Sequence, residues 1–478
     1  MVSRRSRITH VSRSAPLVPS ALPVLLTAFL LTACGAGVHG TPGAEGLRDP
    51  YFPKAGNGGY DVTHYDLRLD YAPGSGTPRL TGEATLTARA TQSLSAFDLD
   101  LDGMDVQSVE VEGSAARWNR DGQELTVRPR HDLDRGETFR TTVRYRGTPR
   151  TLTDPDGSHE GWLPTRGGAL ALGEPVGSMA WFPGNHHPSD KATYDITVTV
   201  PKGLRAVSNG ELRSERTSGD RTAYAWHTGE PMATYVATVA VGRYDISRST
   251  APGGLPVYTA VAPTEAKASR KVLARIPEII EWARYNFGPY PFSSTGVIVD
   301  RPDTAEYALE TQNRPVFPGT PDLETLVHEL VHQWYGDSVT PRSWRDMWLN
   351  EGFATYAEWL WGEDHGGDSA QRTFDALYDH GEDDDPDLWA FPPAKPSGPG
   401  HISDTPVYQR GAMVLHKIRQ TVGDDRFYDI VQGWAAAHRH GNADTAQFTA
   451  YVEKMAPHQD FSTIWTDWLY GEGKPAHR

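Results

Sequence analysis

The chain has 478 residues and a formal net charge of −15. This length is enough for two or three domains with their own cores. The negative charge argues against a nucleic-acid partner, because the phosphate backbone would repel an acidic surface. The single cysteine, Cys34, excludes an intrachain disulfide.

The first 33 residues have the pattern of a bacterial lipoprotein signal peptide. Four arginines among the first 13 residues precede an apolar stretch at 21–31 that is too short to span a bilayer. Leu31-Thr32-Ala33-Cys34-Gly35 then resembles the site at which the cysteine becomes the lipidated first residue of the mature chain. We expect an extracytoplasmic protein that contacts the bacterial cell membrane only through a lipid on Cys34. A secretory signal cleaved nearby, or a buried thiol, is the alternative.

The region after the signal changes from a predicted tether to predicted strands. Residues 34–58 are rich in Gly, Ala and Pro, which indicates a flexible tether. From Tyr60 onward apolar and polar residues alternate with period two, as is typical of half-buried antiparallel strands. We therefore predict an N-terminal β domain over residues 59–250, with strands around 65–71, 84–90, 97–101, 139–145 and 194–200.

Beyond Pro263 the apolar spacing becomes helical. Residues 266–287 predict one amphipathic helix. A short strand is expected at 296–299, and the acidic, Pro-rich segment 382–400 is expected to be a loop. Helices and loops alternate in the remainder, so residues 251–478 are predicted to form a mainly helical domain.

The motif His328-Glu329-Leu330-Val331-His332 carries the main chemical prediction. Residues four apart share a helix face, so both imidazoles can reach one metal ion. Glu329 lies about 100° around the helix from His328, close to such an ion without ligating it. We expect this helix to begin with Thr320 as its N-cap and Pro321 at its first position. A helix with two surface histidines is the alternative.

Glu351 is the predicted third ligand. It lies in an apolar, helix-like run from residue 348 to 361, where an unpaired carboxylate would be costly. Two histidines and one glutamate form the ligand set of thermolysin-type catalytic zinc sites. We therefore predict a zinc metallopeptidase in which His328, His332 and Glu351 hold one catalytic Zn²⁺. Glu329 is expected to be the general base that activates a water.

These residues also resemble a known family. His328-Glu329-x-x-His332-Gln333-Trp334-Tyr335-Gly336-Asp337 and Trp348-Leu349-Asn350-Glu351-Gly352-Phe353-Ala354 resemble the aminopeptidase N family of gluzincin aminopeptidases, which are related to leukotriene hydrolase. The resemblance extends over about residues 60 to 475. It implies an α+β fold in which an N-terminal, saddle-like antiparallel β-sheet domain packs on a thermolysin-like, mainly helical zincin catalytic domain.

The resemblance implies two residues that bind the substrate's free α-amino group. Glu310 matches the glutamate of the family's Gly-x-Met-Glu-Asn segment, which here reads Tyr307-Ala308-Leu309-Glu310-Thr311. Glu174 takes the place of a second amine-binding residue, with Leu172 where the family often has Gln. These departures leave amine binding in place and affect the shape of the subsite. The alternatives are a solvated loop carboxylate for Glu310 and a structural turn carboxylate for Glu174.

Tyr408 is implied as the donor to the oxyanion. It begins the run Tyr408-x-Arg410-Gly411-Ala412, which matches the family's catalytic tyrosine segment. A phenol is suited to this role, because its hydrogen bond strengthens as negative charge develops on the acceptor. The alternative is a core aromatic at the start of a helix.

The predicted activity is hydrolysis of the N-terminal peptide bond of peptides that have a free N-terminus. Many family members add a helical domain that covers the active site, and we expect a lid-less form with a more open cleft. Two other interpretations stay open: a zinc endopeptidase or other small-substrate hydrolase on the same core, and a catalytically inactive, peptide-binding surface lipoprotein.

Overall fold

The structure is a computed structural model that describes residues 40–74, 78–302, 305 and 307–478. The predicted signal peptide, residues 1–33, and Cys34 lie outside the described residues. Among the residues that are described, no helix is both long enough and apolar enough to cross a membrane.

The strands cluster in the first half of the chain, where the sequence alternates with period two. In chain order they are β1 (Thr41–Pro42), β2 (Tyr60–Ala72), β3 (Arg79–Ala90), β4 (Leu94–Asp100), β5 (Asp105–Val111), β6 (Ser114–Ala115), β7 (Arg117–Asp121), β8 (Glu124–Arg128), β9 (Thr138–Gly147), β10 (Thr151–Thr153), β11 (His159–Thr165), β12 (Gly168–Leu172), β13 (Lys191–Pro201), β14 (Arg205–Ser208), β15 (Glu211–Ser218), β16 (Arg221–Ala233), β17 (Val239–Gly242), β18 (Asp245–Ala251), β19 (Leu255–Val261), β20 (Thr295–Val299), β21 (Val316–Phe317), β22 (Val339–Pro341) and β23 (Gly441–Ala443).

Three sheets build the N-terminal region. An eight-stranded sheet has the order β15-β16-β13-β2-β3-β9-β5-β6, a five-stranded sheet the order β10-β11-β12-β17-β14, and a four-stranded sheet the order β1-β4-β8-β7. Pairing is antiparallel except between β2 and β13 and between β1 and β4. In β2 the buried side chains of Tyr65, Leu67 and Leu69 alternate with more exposed polar ones. The period-two prediction is thus confirmed.

The second half of the chain is mainly helical. Its α-helices are α1 (Ala266–Leu273), α2 (Ile276–Phe287), α3 (Leu323–Val331), α4 (Trp348–Asp364), α5 (Ala370–Asp384), α6 (Gly411–Val422), α7 (Asp424–Ala437) and α8 (Thr445–Met455). Two π-helical segments, Pro406–Arg410 and Ile464–Leu469, accompany them. The combination of a sheet-rich first region and a helical second region confirms the α+β prediction.

The predicted single helix over 266–287 is two helices. Helix α1 ends at Leu273 and α2 begins at Ile276, with Pro277 in its first turn. Proline has no backbone N–H to donate and favours the start of a helix over its interior. The apolar residues keep their helical spacing across the break between the two helices, so the sequence pattern does not reveal it.

The predicted tether is wrong for residues 40–58. Strand β1 pairs with β4, and Asn57 is buried with its backbone N–H donating to the side chain of Asn185. The carboxylate of Asp49 accepts hydrogen bonds from the hydroxyl of Ser343 (2.8 Å) and the backbone N–H of Trp344 (3.0 Å). Glycine and proline supply turns in this packed segment, so composition alone suggested a flexibility that the contacts exclude.

The predicted domain boundary between residues 250 and 251 falls inside a hairpin. Strand β18 pairs with β19, which pairs with β20, and β20 with β21, to give a sheet of order β18-β19-β20-β21. A boundary within a hairpin would separate two hydrogen-bonded strands, so β18 belongs with the second region. The turn between β17 and β18 is where the chain leaves the N-terminal sheets.

Candidate active site

Helix α3 and its C-cap residue, His332, carry the His328-x-x-x-His332 motif, and the helix begins two residues later than predicted. Asp322 is its N-cap, with a side-chain oxygen that accepts the backbone N–H of Thr325 at 2.7 Å. The predicted cap, Thr320, instead directs its hydroxyl to the carboxylate of Glu265. An aspartate at the cap also places negative charge at the positive end of the helix dipole.

Three metal-type donors converge where α3 packs against α4. The Nε2 atoms of His328 and His332 lie 3.1 and 3.3 Å from Oε2 of Glu351. All three residues are buried, and their ligand atoms lie within 4.8 Å of one another. Two imidazoles and one carboxylate that converge in this way fit a zinc ion.

The other nitrogen of each imidazole already has a partner. His328 Nδ1 lies 2.5 Å from Oε1 of Glu358, and His332 Nδ1 lies 3.0 Å from the backbone carbonyl of Tyr335. A carbonyl only accepts, so Nδ1 of His332 carries the proton and its Nε2 presents a lone pair. Partners of this kind fix the tautomer and orientation of metal-ligating histidines.

Glu329 lies next to His328, His332 and Glu351, but it is not one of these three metal donors. It is buried, and its Oε2 atom has no hydrogen-bond partner among the described residues. Burial raises its pKa to about 8, although the imidazoles of His328 and His332 oppose that increase. A carboxyl group in this position can accept a proton from a water beside the donor set and release it again.

Glu174 and Glu310 reach the same site from outside the two ligand helices. Glu174 follows β12, and Glu310 follows Leu309, which forms a bridge with Val316. One carboxylate oxygen of each lies within 4.8 Å of the other and of Glu351. Burial and the charge of the neighbouring carboxylates raise the pKa of Glu174 well above its usual range. Each residue has one oxygen without a hydrogen-bond partner among the described residues.

Tyr408 lies over the metal-donor group, in the π-helical segment Pro406–Arg410. Its ring is stacked on the ring of His328, with the centroids 5.9 Å apart and an angle of 13° between the planes. Burial raises the pKa of its phenol, and so does the negative charge of Glu351. The phenol therefore keeps its proton and remains a hydrogen-bond donor.

One cavity of about 460 Å³ brings together every active-site residue predicted from the sequence. Its lining also includes polar residues that were not predicted as site residues, among them Asp154, Asp156, Thr325 and Ser403. Glu358 was not predicted either, although its spacing of seven residues from Glu351 places both on one face of α4. No comparable sequence pattern identifies Asp154, which lies in the turn between β10 and β11.

Two protein-family models match the chain. The model of the peptidase family M1 domain matches residues 309–468, and that of the peptidase M1 N-terminal domain matches residues 62–236. The first range contains all three metal donors, Glu310 and Tyr408. The second contains Glu174.

Several known proteins are similar to the chain. Glutamyl aminopeptidase of Sus scrofa is 28% identical over 327 residues, which cover 62% of this chain and 34% of the relative. Probable aminopeptidase 2 of Sulfurisphaera tokodaii is 25% identical over 418 residues, which cover 79% of this chain and 50% of the relative. The chain thus spans a third to a half of the length of these curated relatives.

A solved structure matches over nearly its whole length. The M1 zinc metallopeptidase from Deinococcus radiodurans is 30% identical, with a TM-score of 0.82, and the match covers 91% of this chain and 98% of that one. A mutant of the enzyme bound to a Tyr-Ser-Ala substrate superimposes with the same score. The chain belongs to peptidase family M1.

Proposed function

We propose that the protein is a zinc-dependent aminopeptidase that hydrolyses the N-terminal peptide bond of peptides. The observation that carries this proposal is the carboxylate pair beside the metal donors, formed by the buried Glu310 and the half-buried Glu174. Two carboxylates this close cannot both ionise without repulsion, so one keeps a proton unless a cation joins them. The ammonium group of a free peptide N-terminus is such a cation.

The metal-binding part of the proposal rests on the donor set. His328, His332 and Glu351 would hold the zinc ion, and Glu358 and the carbonyl of Tyr335 orient the two imidazoles. A zinc ion with this ligand set supplies a Lewis acid that activates water and polarises a carbonyl.

The proton moves through Glu329. In the proposed mechanism its carboxylate takes a proton from the attacking water and then delivers that proton to the departing amine. Tyr408 donates its phenolic proton in a hydrogen bond to the oxyanion that develops on the scissile carbonyl. Both groups line the same cavity as the metal donors; Glu329 is buried and Tyr408 is half-buried, which limits the water that competes with these contacts.

Glu174 and Glu310 set the position of the peptide. By holding the α-ammonium group, they place the first peptide bond near the metal donors. Part of the binding free energy is thus used to align this bond for reaction. An internal peptide segment has no ammonium group and would leave both carboxylates without a cationic partner. This argues against the endopeptidase alternative. The presence of Glu329 and Tyr408 beside the donors argues against an inactive peptide-binding protein.

The relatives support the same activity. Two of them are named as aminopeptidases, a mutant of the Deinococcus radiodurans metallopeptidase was solved with a Tyr-Ser-Ala substrate, and a mutant of a two-domain M1 zinc metallopeptidase was solved with L-tryptophan. Each of those ligands carries a free α-amino group. We extend this substrate class, peptides with a free N-terminus, to the present chain.

A panel of aminoacyl-coumarin substrates tests the activity. We expect release of coumarin from substrates with a free α-amino group, loss of turnover when that group is acetylated, and loss of turnover after a chelator removes zinc. Zinc should restore the activity of the chelated enzyme. Turnover of the acetylated substrates at an unchanged rate would favour the endopeptidase alternative.

We also propose that the protein is extracytoplasmic and is held at the bacterial cell membrane by a lipid on Cys34. The support is the sequence pattern of residues 1–35: arginines, a short apolar stretch and the cysteine. The full-length protein should incorporate labelled fatty acid and sediment with membranes, whereas Cys34→Ala should do neither. Equal labelling of both proteins would overturn the proposal.

A further inference from the structure

The cavity at the candidate active site has a strongly acidic wall. Seven carboxyl residues line it: Asp154, Asp156, Glu174, Glu310, Glu329, Glu351 and Glu358. Over the part of the chain that the structure describes, its lining includes no lysine and no arginine. The protein itself therefore offers little positive charge to balance this wall.

Most of these carboxyl groups have a role in the proposed function. Glu351 and Glu358 contact the imidazoles, Glu329 handles the proton, and Glu174 and Glu310 bind the substrate ammonium. Asp154 and Asp156 remain. They lie in the turn between β10 and β11, two strands of the N-terminal region, and they line the cavity from that region.

Asp154 is the more buried of the two. Its relative exposure is 7%, and its Oδ1 atom has no hydrogen-bond partner among the described residues. Burial raises its pKa to about 7, and the nearby charge of Asp156 adds to that increase. Asp156 is held in place by the backbone N–H of Ser158, which donates to its Oδ1 atom at 2.7 Å. A buried carboxylate without a partner is a site prepared for a cation.

The neighbours of Asp154 place it on the amine-binding side of the cleft. Glu160, in the strand that follows this turn, accepts the backbone N–H groups of Val176 and Gly177, just beyond Glu174. The phenol of Tyr307 donates to the carbonyl of His159 at 2.9 Å, and Tyr307 lines the cavity with Glu310. A substrate held at its ammonium group by Glu174 and Glu310 can therefore direct the side chain of its first residue toward this wall.

We infer that Asp154, together with Asp156, selects substrates whose first residue has a cationic side chain, arginine or lysine. This inference rests on the proposed aminopeptidase activity and names its substrate class. Pro175, Tyr307 and Leu309 line the same cavity and can cover the aliphatic part of such a side chain. The guanidinium or ammonium head then reaches the two carboxylates, where its hydrogen bonds are charge-assisted.

Matched substrates test the inference. Citrulline has nearly the shape of arginine but no charge, so arginyl-coumarin and citrullinyl-coumarin isolate the contribution of the cation. We expect the wild-type enzyme to prefer the arginyl substrate in kcat/KM by roughly 10- to 100-fold, the worth of a charge-assisted contact. Asp154→Asn should remove most of this preference while leaving turnover of the citrullinyl substrate within about twofold. Asp156→Asn should have a smaller effect in the same direction, and Asp220→Asn, at an exposed position outside the cavity lining, should have none.

Several outcomes would overturn the inference. Equal kcat/KM for the two substrates in the wild-type enzyme would do so, and so would an equal loss on both substrates in Asp154→Asn, which indicates a structural role. Calcium-dependent turnover of a glutamyl substrate that Asp154→Asn abolishes would show that the wall binds a metal cation instead. In each of these cases the enzyme still releases coumarin. If no free aminoacyl substrate is turned over, the proposed function itself fails.

Discussion

Two walls of one cavity differ in whether the protein itself supplies partners for their metal- or cation-binding groups. On the metal-donor wall, formed by α3 and α4, the imidazoles of His328 and His332 contact Glu351 on one side and a protein acceptor on the other. On the acidic wall, Glu174, Glu310 and Asp154 each have a carboxylate oxygen without a partner among the described residues.

This difference in polar partners indicates which kind of ligand each wall binds. Burial of an ionisable group is costly unless a partner compensates it. The metal-donor wall is held in one geometry by the chain itself, which suits an ion that must not move during the reaction. On the acidic wall, the charges of the carboxylates are compensated by cationic groups of the substrate. Substrate binding therefore relieves the repulsion between these carboxylates that is present in the folded protein.

Glu329→Gln is expected to have the largest effect on catalysis. The substitution keeps the shape of the side chain and removes its capacity to accept a proton, so kcat should fall by about 10³- to 10⁴-fold. Zinc content should be unchanged, because Glu329 is not among the donors that contact Glu351. Steady-state kinetics and metal analysis on the same preparation check both points. A loss of zinc equal to the loss of activity would place Glu329 among the ligands.

Glu310→Gln tests the acidic wall. Loss of one of the two ammonium-binding carboxylates should lower kcat/KM for free aminoacyl substrates by about 10²- to 10³-fold, the usual cost of breaking a buried charge pair. Zinc affinity should stay the same. Glu281→Gln, at an exposed position on α2, is the matched control and should retain full activity. If Glu310→Gln lowered zinc affinity as strongly as it lowers activity, the two walls would not be separate in function.

The metal-donor wall could be predicted from the sequence, and the acidic wall only in part. His328, His332 and Glu351 lie on two consecutive helices, where fixed spacing determines which side chains share a face. Glu174 and Glu310 were reached only through a family resemblance, since no spacing connects them. Asp154 was missed because its turn is joined to the cleft by a tertiary contact, the hydrogen bond from the phenol of Tyr307 to the carbonyl of His159, which are 148 residues apart in the sequence. The packing of residues 40–58 was missed for a similar reason: the contacts of Asp49 lie nearly three hundred residues away, as the separation of 294 from Ser343 shows.

Substitutions at Glu358 sharpen the description of the metal-donor wall. Glu358 contacts Nδ1 of His328 at 2.5 Å, and loss of such a partner typically lowers metal affinity by about 10- to 100-fold. We expect Glu358→Ala to show the larger loss and Glu358→Gln the smaller one, because the amide oxygen still accepts a hydrogen bond. Competition with a chromogenic zinc chelator measures both. Unchanged affinity in Glu358→Ala would mean that packing alone orients His328.

Asp322→Ala is expected to have the smallest effect, and it separates the stability of α3 from the orientation of its ligands. Asp322 accepts the backbone N–H of Thr325 at the start of α3, and removal of an N-cap of this kind costs about 1 kcal/mol of folding free energy. Asp322→Asn keeps an acceptor and should recover most of that loss, as denaturant unfolding of the three proteins would show. Zinc affinity should change by less than about threefold in either variant, because Glu358 and the carbonyl of Tyr335, not the helix start, orient the imidazoles. A large loss of zinc affinity in Asp322→Ala, recovered in Asp322→Asn, would instead show that the metal-donor wall depends on the integrity of the first turn of α3.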